Sequence, residues 1–256
     1  MTTGIKTAVL NGVCTLEIAR PEKKNALTGE MYVALAQGLR AAGTDPKVRS
    51  VLITGQPGIF TSGNDLEDFM TRSGPVEDSP VVLFMHALMD CEKPVVAAVT
   101  GAAIGIGTTL LLHCDFVYVS DEARLAMPFV SLGLVPEFAA SLLFAQQAGP
   151  RRAAEKLLLG DPFTGADAVE YGIANAVLPP SEVVPHARRV AERFNALPPA
   201  AVRESKKLMR RAEGSAVRQA IAAENEVFAA RLTSPEAKEA FAAFFEKRRP
   251  DFGGFE

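Results

Sequence analysis

Three short segments carry residue types that could bind or transform a small molecule. In Gly58-Ile59-Phe60-Thr61-Ser62-Gly63-Asn64-Asp65-Leu66 the backbone N–H groups of a tight turn are exposed. Gly63 lets the main chain approach a ligand, Asp65 can cap a helix starting near Leu66, and the Asn64 N–H is left as a donor at that entrance. Taken alone, a structural Ser/Gly/Asn turn is the simpler reading. Gly101-Ala102-Ala103-Ile104-Gly105-Ile106-Gly107-Thr108-Thr109 repeats the device, with glycines pointing donors into open space. Its Gly105-x-Gly107 also has the start of a dinucleotide fingerprint, but the sixth position is Leu110 and the nearest candidate ribose acid, Asp121, comes too early. The third segment, Pro128 to Glu137, ends in Pro136-Glu137. Pro136 suits the first position of a helix, and an acid in its first turn has a structural explanation worth up to about 1 kcal/mol.

These segments have to be positioned by regular elements. Asn11-Gly12 between Ala8–Leu10 and Val13–Ile18 predicts a two-residue hairpin. Thr28 can cap a helix in which Met31, Leu35 and Leu39 recur before Gly43, and Val48–Thr54 is a short apolar run typical of a buried strand. The alternation returns as helix Val81–Met89, strand Val95–Val99, short helix Thr108–His113 and strand Phe116–Ser120, which implies an α/β architecture. Thr71–Pro80 lacks periodicity and reads as a surface loop, gating or passive. After Pro136 the pattern is helical, with helices expected over Phe138–Ala148, Arg151–Leu159, Gly165–Tyr171, Glu182–Leu197, Pro199–Ala212, Ser215–Thr233 and Pro235–Arg248, interrupted by a strand at Ala176–Leu178. Leu208, Met209, Val227, Phe228, Leu232, Phe241, Phe244 and Phe245 give the last helices more apolar surface than a peripheral pair needs, which predicts an interface-forming tail.

Bulk composition narrows the partners. With 256 residues and 48% hydrophobic content, the chain can bury a large core. A net charge of -3 without long single-sign blocks argues against nucleic acid. Cys14, Cys91 and Cys114 are odd in number and lack C-x-x-C spacing, which fits neither a disulfide framework nor structural zinc; no metal is expected. No signal core, membrane span or terminal address is seen, so the expected location is cytoplasmic.

Together, in this order and spacing, the three segments make nearly the whole chain resemble the crotonase (enoyl-CoA hydratase/isomerase) superfamily. Arg20-Pro21 with Asn25-Ala26-Leu27, Phe60 through Leu66, the glycine-rich helix entrance followed by Cys114-Asp115, and Pro128 to Glu137 resemble its recurring blocks. The resemblance implies an α/β fold with a crotonase-like ββα spiral core over residues 1–196, holding an acyl-CoA site, and a C-terminal helical trimerisation region over 197–256. It implies a homotrimer or dimer of trimers, and a substrate that brings its own coenzyme A, with no separate cofactor. Two loops would each give one N–H to the thioester oxygen, here from Asn64 and Ile106. The other residues it implies in substrate binding are Lys23, Ala26, Ser62, Gly63, Asp65, Leu66, Gly105 and Phe129, with Lys247 reaching a coenzyme phosphate from a neighbouring subunit.

Within the superfamily, hydratases resemble a two-carboxylate arrangement, and at those two positions this chain has Thr109 and Phe129, neither able to serve a water as a carboxylate does. Dienoyl-CoA isomerases also carry an acid at the position of Phe129. The Leu132–Glu137 stretch instead looks like that of the monofunctional 3,2-enoyl-CoA isomerases, which implies Glu137 as the single acid/base. Other crotonase-type reactions, hydration first among them, and non-catalytic acyl-CoA binding remain as alternatives.

Overall fold

The computed structural model describes residues 4–70 and 76–255, excluding the side chains of Phe69 and Glu77. The chain opens with the expected hairpin, β1 (Ile5–Leu10) and β2 (Val13–Ile18), turned at Asn11 and Gly12, which both have positive φ. Thr28 caps α1 (Gly29–Thr44), its side chain accepting the Met31 N–H. The helix runs through Gly43 instead of stopping before it, because its last turn stays packed through Ala42.

Three turns of a spiral follow, each giving one strand to each of two sheets. The pairs are β3 (Ser50–Thr54) with β4 (Ile59–Thr61), β5 (Val95–Val99) with β6 (Ala102–Ile104), and β7 (Phe116–Ser120) with β8 (Arg124–Ala126). Between them lie α2 (Leu66–Met70), α3 (Pro80–Met89) and α4 (Ile106–Thr109), the last continuing as a 3₁₀ turn over Leu110–His113. Of the expected loop at 71–80, residues 71–75 lie outside the described residues, and Pro80 already begins α3. The remainder is α5 (Ala140–Ala148), α6 (Pro150–Leu158), β9 (Phe163–Thr164), α7 (Gly165–Glu170), β10 (Ala176–Leu178), α8 (Pro180–Glu192), α9 (Pro199–Arg210), α10 (Gly214–Leu232) and α11 (Pro235–Glu246).

The larger sheet has the order β1-β2-β3-β5-β7-β10 and is parallel except at the hairpin; the smaller has the order β4-β6-β8-β9 with an antiparallel last pair. The apolar runs of β3 and β5 are buried at every residue because both faces are covered. Val51, Ile53, Val95, Ala97 and Val99 enter the main core with α1 and α3, while Leu52, Val96 and Ala98 alternate into a second core beneath Val183, Ala187 and Val190 of α8.

Two expectations need correction. The helix expected from Phe138 begins only at Ala140, because Phe138 and Ala139 adopt left-handed backbone conformations with φ of +61° and +57°. The C-terminal tail is not uniformly outward-facing: Phe228 and Phe241 are buried in this chain's own core, whereas Leu208, Met209, Val227, Phe244 and Phe245 are exposed. Among the described residues no helix is long and apolar enough to cross a membrane.

Candidate active site

The smaller sheet sets the site, since β4, β6 and β8 are neighbouring parallel strands and each leads into one of the three segments singled out by sequence. After β4 the chain passes Leu27, which donates its N–H to the Gly63 carbonyl at 2.8 Å and accepts the Asp65 N–H at 2.9 Å. Residues alternate direction along an extended segment, so the Asn64 N–H between them points away from Leu27. The segment is tied down below: Asn25, fully buried, accepts the Arg20 N–H and donates to the carbonyls of Ile18 and Phe60, and Thr61 Oγ1 donates to the Asn25 carbonyl.

Asp65 caps α2 through the Asp68 N–H and pairs with Arg20 at 2.7 Å. Burial alone would raise its carboxyl, but the Arg20 guanidinium and the Asp68 amide overcome this and hold it below the usual carboxylate range. The Asn64 side chain accepts a 2.6 Å hydrogen bond from the buried Tyr32 hydroxyl.

After β6, Gly105 adopts φ +58° and ψ −121°, a combination open to glycine, and starts α4. Its own N–H is used by the Ala126 carbonyl, and its carbonyl accepts from Thr108 and Thr109. Among the described residues, neither the Asn64 N–H nor the Ile106 N–H has an acceptor. Two uncommitted amides on adjoining loops are a donor pair of the type that holds an oxyanion.

A cavity of about 710 Å³ opens beside these loops. Lys23, Ala26, Ser62, Gly63, Asn64, Asp65, Leu66, Gly105 and Phe129 all line it, so the structure brings together nearly every binding residue expected from sequence. Ile106 is not among the residues lining this cavity; it directly follows Gly105, which is, and its side chain is fully buried. Lys247 stands apart from the cavity wall as the exposed, left-handed cap of α11. The chain beyond residue 196 takes part directly, since Phe228, Phe244 and Phe245 complete the wall.

Glu137 lies in an adjoining cavity of about 610 Å³, which shares Phe228 with the first and has Val81, Val82, Met85, Leu232 and Phe241 among its apolar walls. The carboxyl-bearing residue is 3% exposed. It is not in the first turn of a helix, so the structural account of an acid favoured by a helix start does not apply to it. Among the described residues lining either cavity, the buried acids are Asp65, committed to Arg20, and Glu137. The second-acid positions hold Phe129, packed edge-to-face on Phe228, and Thr109, whose buried hydroxyl has no hydrogen-bond partner among the described residues. Among those residues no group of three or more His, Cys, Asp or Glu is gathered as a metal site would be.

One residue near Glu137 escaped the sequence reading. Glu224 on α10 accepts the Ala139 N–H at 2.6 Å, the Ser141 N–H at 2.9 Å and the Ser141 hydroxyl. Burial pushes its carboxyl up, against the opposing pull of these donors. His113 is buried as a packing residue and stacks on the Phe138 ring, and its Nε2 meets the Phe138 carbonyl at 2.7 Å. Burial pushes its pKa down to about 4, so the neutral ring donates that bond. For Glu224 the available signal was an acid four residues before Phe228, on one helical face.

Comparison with known proteins agrees with this geometry. The family described as Enoyl-CoA hydratase/isomerase matches residues 9–255. Enoyl-CoA delta isomerase 2 of Rattus norvegicus is 35% identical over 96% of this chain, which spans only 64% of that protein's length. The 2,3-dehydroadipyl-CoA hydratase of Escherichia coli K12 is 29% identical over 94% of this chain and 95% of its own. Among solved structures, Pseudomonas aeruginosa OdaA is 50% identical with a TM-score of 0.93, covering 95% of this chain and 99% of its own. An enoyl-CoA hydratase/isomerase from Pseudoalteromonas atlantica T6c is 41% identical with a TM-score of 0.93, over 98% of this chain and all of its own.

Proposed function

Because this chain belongs to the enoyl-CoA hydratase/isomerase family, we propose that it moves the double bond of a 3-enoyl-CoA to the 2-position, with Glu137 as its single acid/base. The observation that carries this reading is the Glu137 carboxyl, buried in a cavity that adjoins the one lined by Asn64 and Gly105 of the two donor loops.

In this reading the thioester oxygen accepts from the Asn64 and Ile106 amides. Glu137 removes a proton from C2, and the C–H electron pair delocalises through the double bond onto the thioester oxygen as a dienolate. The same carboxyl then returns its proton to C4, the electron pair flows back, and the double bond rests between C2 and C3. Proton and electrons balance without any co-reactant. The donors act where charge develops, and losing one such donor costs about 2.7–4 kcal/mol. Acid/base transfer adds roughly 10²–10⁴-fold. Lys23 and Ala26 stand at the cavity wall where the coenzyme portion would pass.

Hydration would require a further carboxylate to handle water, and Thr109 and Phe129 supply none. The test is Glu137→Gln, assayed with a 3-enoyl-CoA and with crotonyl-CoA. Isomerisation should fall by roughly 10²-fold or more while affinity for a saturated acyl-CoA is kept. Unchanged isomerisation would remove Glu137 from the reaction, and fast hydration of crotonyl-CoA without isomerisation by the native protein would replace this reading.

A further inference from the structure

We infer that Glu224 is a positioning residue: from α10 its carboxylate holds the turn that aims Glu137 at the substrate. The inference rests on the reading of Glu137 as the base. The turn itself is unusual. The Ala140 N–H donates to the Glu137 carbonyl at 3.2 Å across Phe138 and Ala139, whose successive positive φ angles make it a turn of the I′ kind. Such central positions normally take glycine or asparagine, and residues with larger side chains are disfavoured in the left-handed region. Phe-Ala has no side-chain group to stabilise that conformation locally, so the surroundings must hold it.

They do so from two sides. His113 grips the Phe138 carbonyl from one, and the Glu224 carboxylate takes the N–H groups of Ala139 and Ser141 together with the Ser141 hydroxyl from the other. These two amides belong to the start of α5, which has no side-chain cap of its own at Ala139. The acceptor is recruited from a helix more than eighty residues further along the chain, and it is the residue immediately before the turn, Glu137, whose direction is thereby fixed. The same helix presents Asn225 and Phe228 to the cavity that contains Glu137, so the base and the wall it faces are referenced to one rigid element.

The experiment compares Glu137→Gln, Glu224→Gln, Glu224→Leu and Ser141→Ala with the native protein. kcat and KM for a 3-enoyl-CoA are measured separately, with calorimetric titration by a saturated acyl-CoA to count binding sites and circular dichroism to follow folding. A misplacement of about 1 Å can cost on the order of 10²-fold. Glu224→Leu, which leaves no acceptor, is expected to lower kcat by at least about tenfold. Glu224→Gln, which keeps one acceptor oxygen, should fall between Leu and native, and Ser141→Ala should fall least. KM and the number of saturated acyl-CoA sites per chain should stay within about twofold of native. A purely structural cap would instead lose binding sites in proportion to activity, leaving kcat per site unchanged, and that result overturns the inference. If Glu224→Leu does not fold, Glu224→Gln and Ser141→Ala decide: native kcat per site in both also overturns it. Should Glu137→Gln keep full turnover, it is the base assignment that fails, and the two failures are thereby distinguished.

Discussion

A Cβ on Gly63 would lie 2.8 Å from the carbonyl oxygen of Ile104, so the two donor loops are in contact at a point where only a glycine fits. That contact holds the loop carrying Asn64 against the one that leads into Ile106. Gly63 also has φ +91°, which strains any other residue. Gly63→Ala is expected to push the loops apart and lower kcat/KM by roughly 10²-fold, as removal of one oxyanion donor does, with the circular dichroism spectrum kept. Native kcat/KM in this variant would show that the loop contact does not control the donors.

Tyr32 reaches the other side of Asn64. Tyr32→Phe deletes the 2.6 Å hydrogen bond to the Asn64 side chain without opening a cavity. Urea denaturation should show a loss of about 1–3 kcal/mol, the cost of leaving a partly buried acceptor unsatisfied. The donor loop should loosen with it, lowering kcat/KM for the thioester.

Phe228 separates and joins the two cavities, packing edge-to-face on Phe129. Phe228→Ala should cost about 3 kcal/mol in stability, at the low end of such truncations because one face already meets empty space. It should also merge the cavities, so that KM values for straight and branched acyl chains converge. Unchanged discrimination between them would show that Phe228 plays no part in shaping the acyl path.

His113 predicts a pH effect on stability. Its folded pKa, about 4, lies below its ordinary value of 6.5, so it stays neutral in the native protein while the unfolded chain takes up a proton. Stability from this residue is therefore full above about pH 6.5 and is lost as pH falls toward 4, amounting to about 2 kcal/mol at pH 5. His113→Gln cannot titrate, so the difference between its unfolding free energies at about pH 7.5 and about pH 5 should be smaller than that of the native protein by this amount. Identical pH dependence in the two proteins would contradict the assignment.

Much of this fold was legible because its long elements follow simple periods. Asn11-Gly12, the cap at Thr28, and the apolar runs of β5 and β7 lead directly to what the structure contains. The strands β4, β6, β8 and β9 were not legible, being two or three residues long, too short for an alternation to register. The segments of the candidate site could be named, since glycine, asparagine and proline mark turns locally. What surrounds Glu137 could not. Pro136-Glu137 reads as a helix start, and only the distant Glu224 and His113 explain how Phe138 and Ala139 hold a conformation that their own side chains oppose. Phe228 and Phe241 read as interface residues for a related reason: apolar spacing on a helix says that a face is covered without saying by what.

The place of the three candidate segments at β4, β6 and β8 has a geometric result. Neighbouring strands in any sheet lie about 4.8 Å apart, a distance fixed by the peptide hydrogen bond and independent of side chains. The step from one donor loop to the next is thus inherited from the backbone ladder. Helices on the outside of each coil can lengthen, shorten or change composition, and the reach of the cavity can be altered with them, while the spacing of the two candidate donor loops keeps its span.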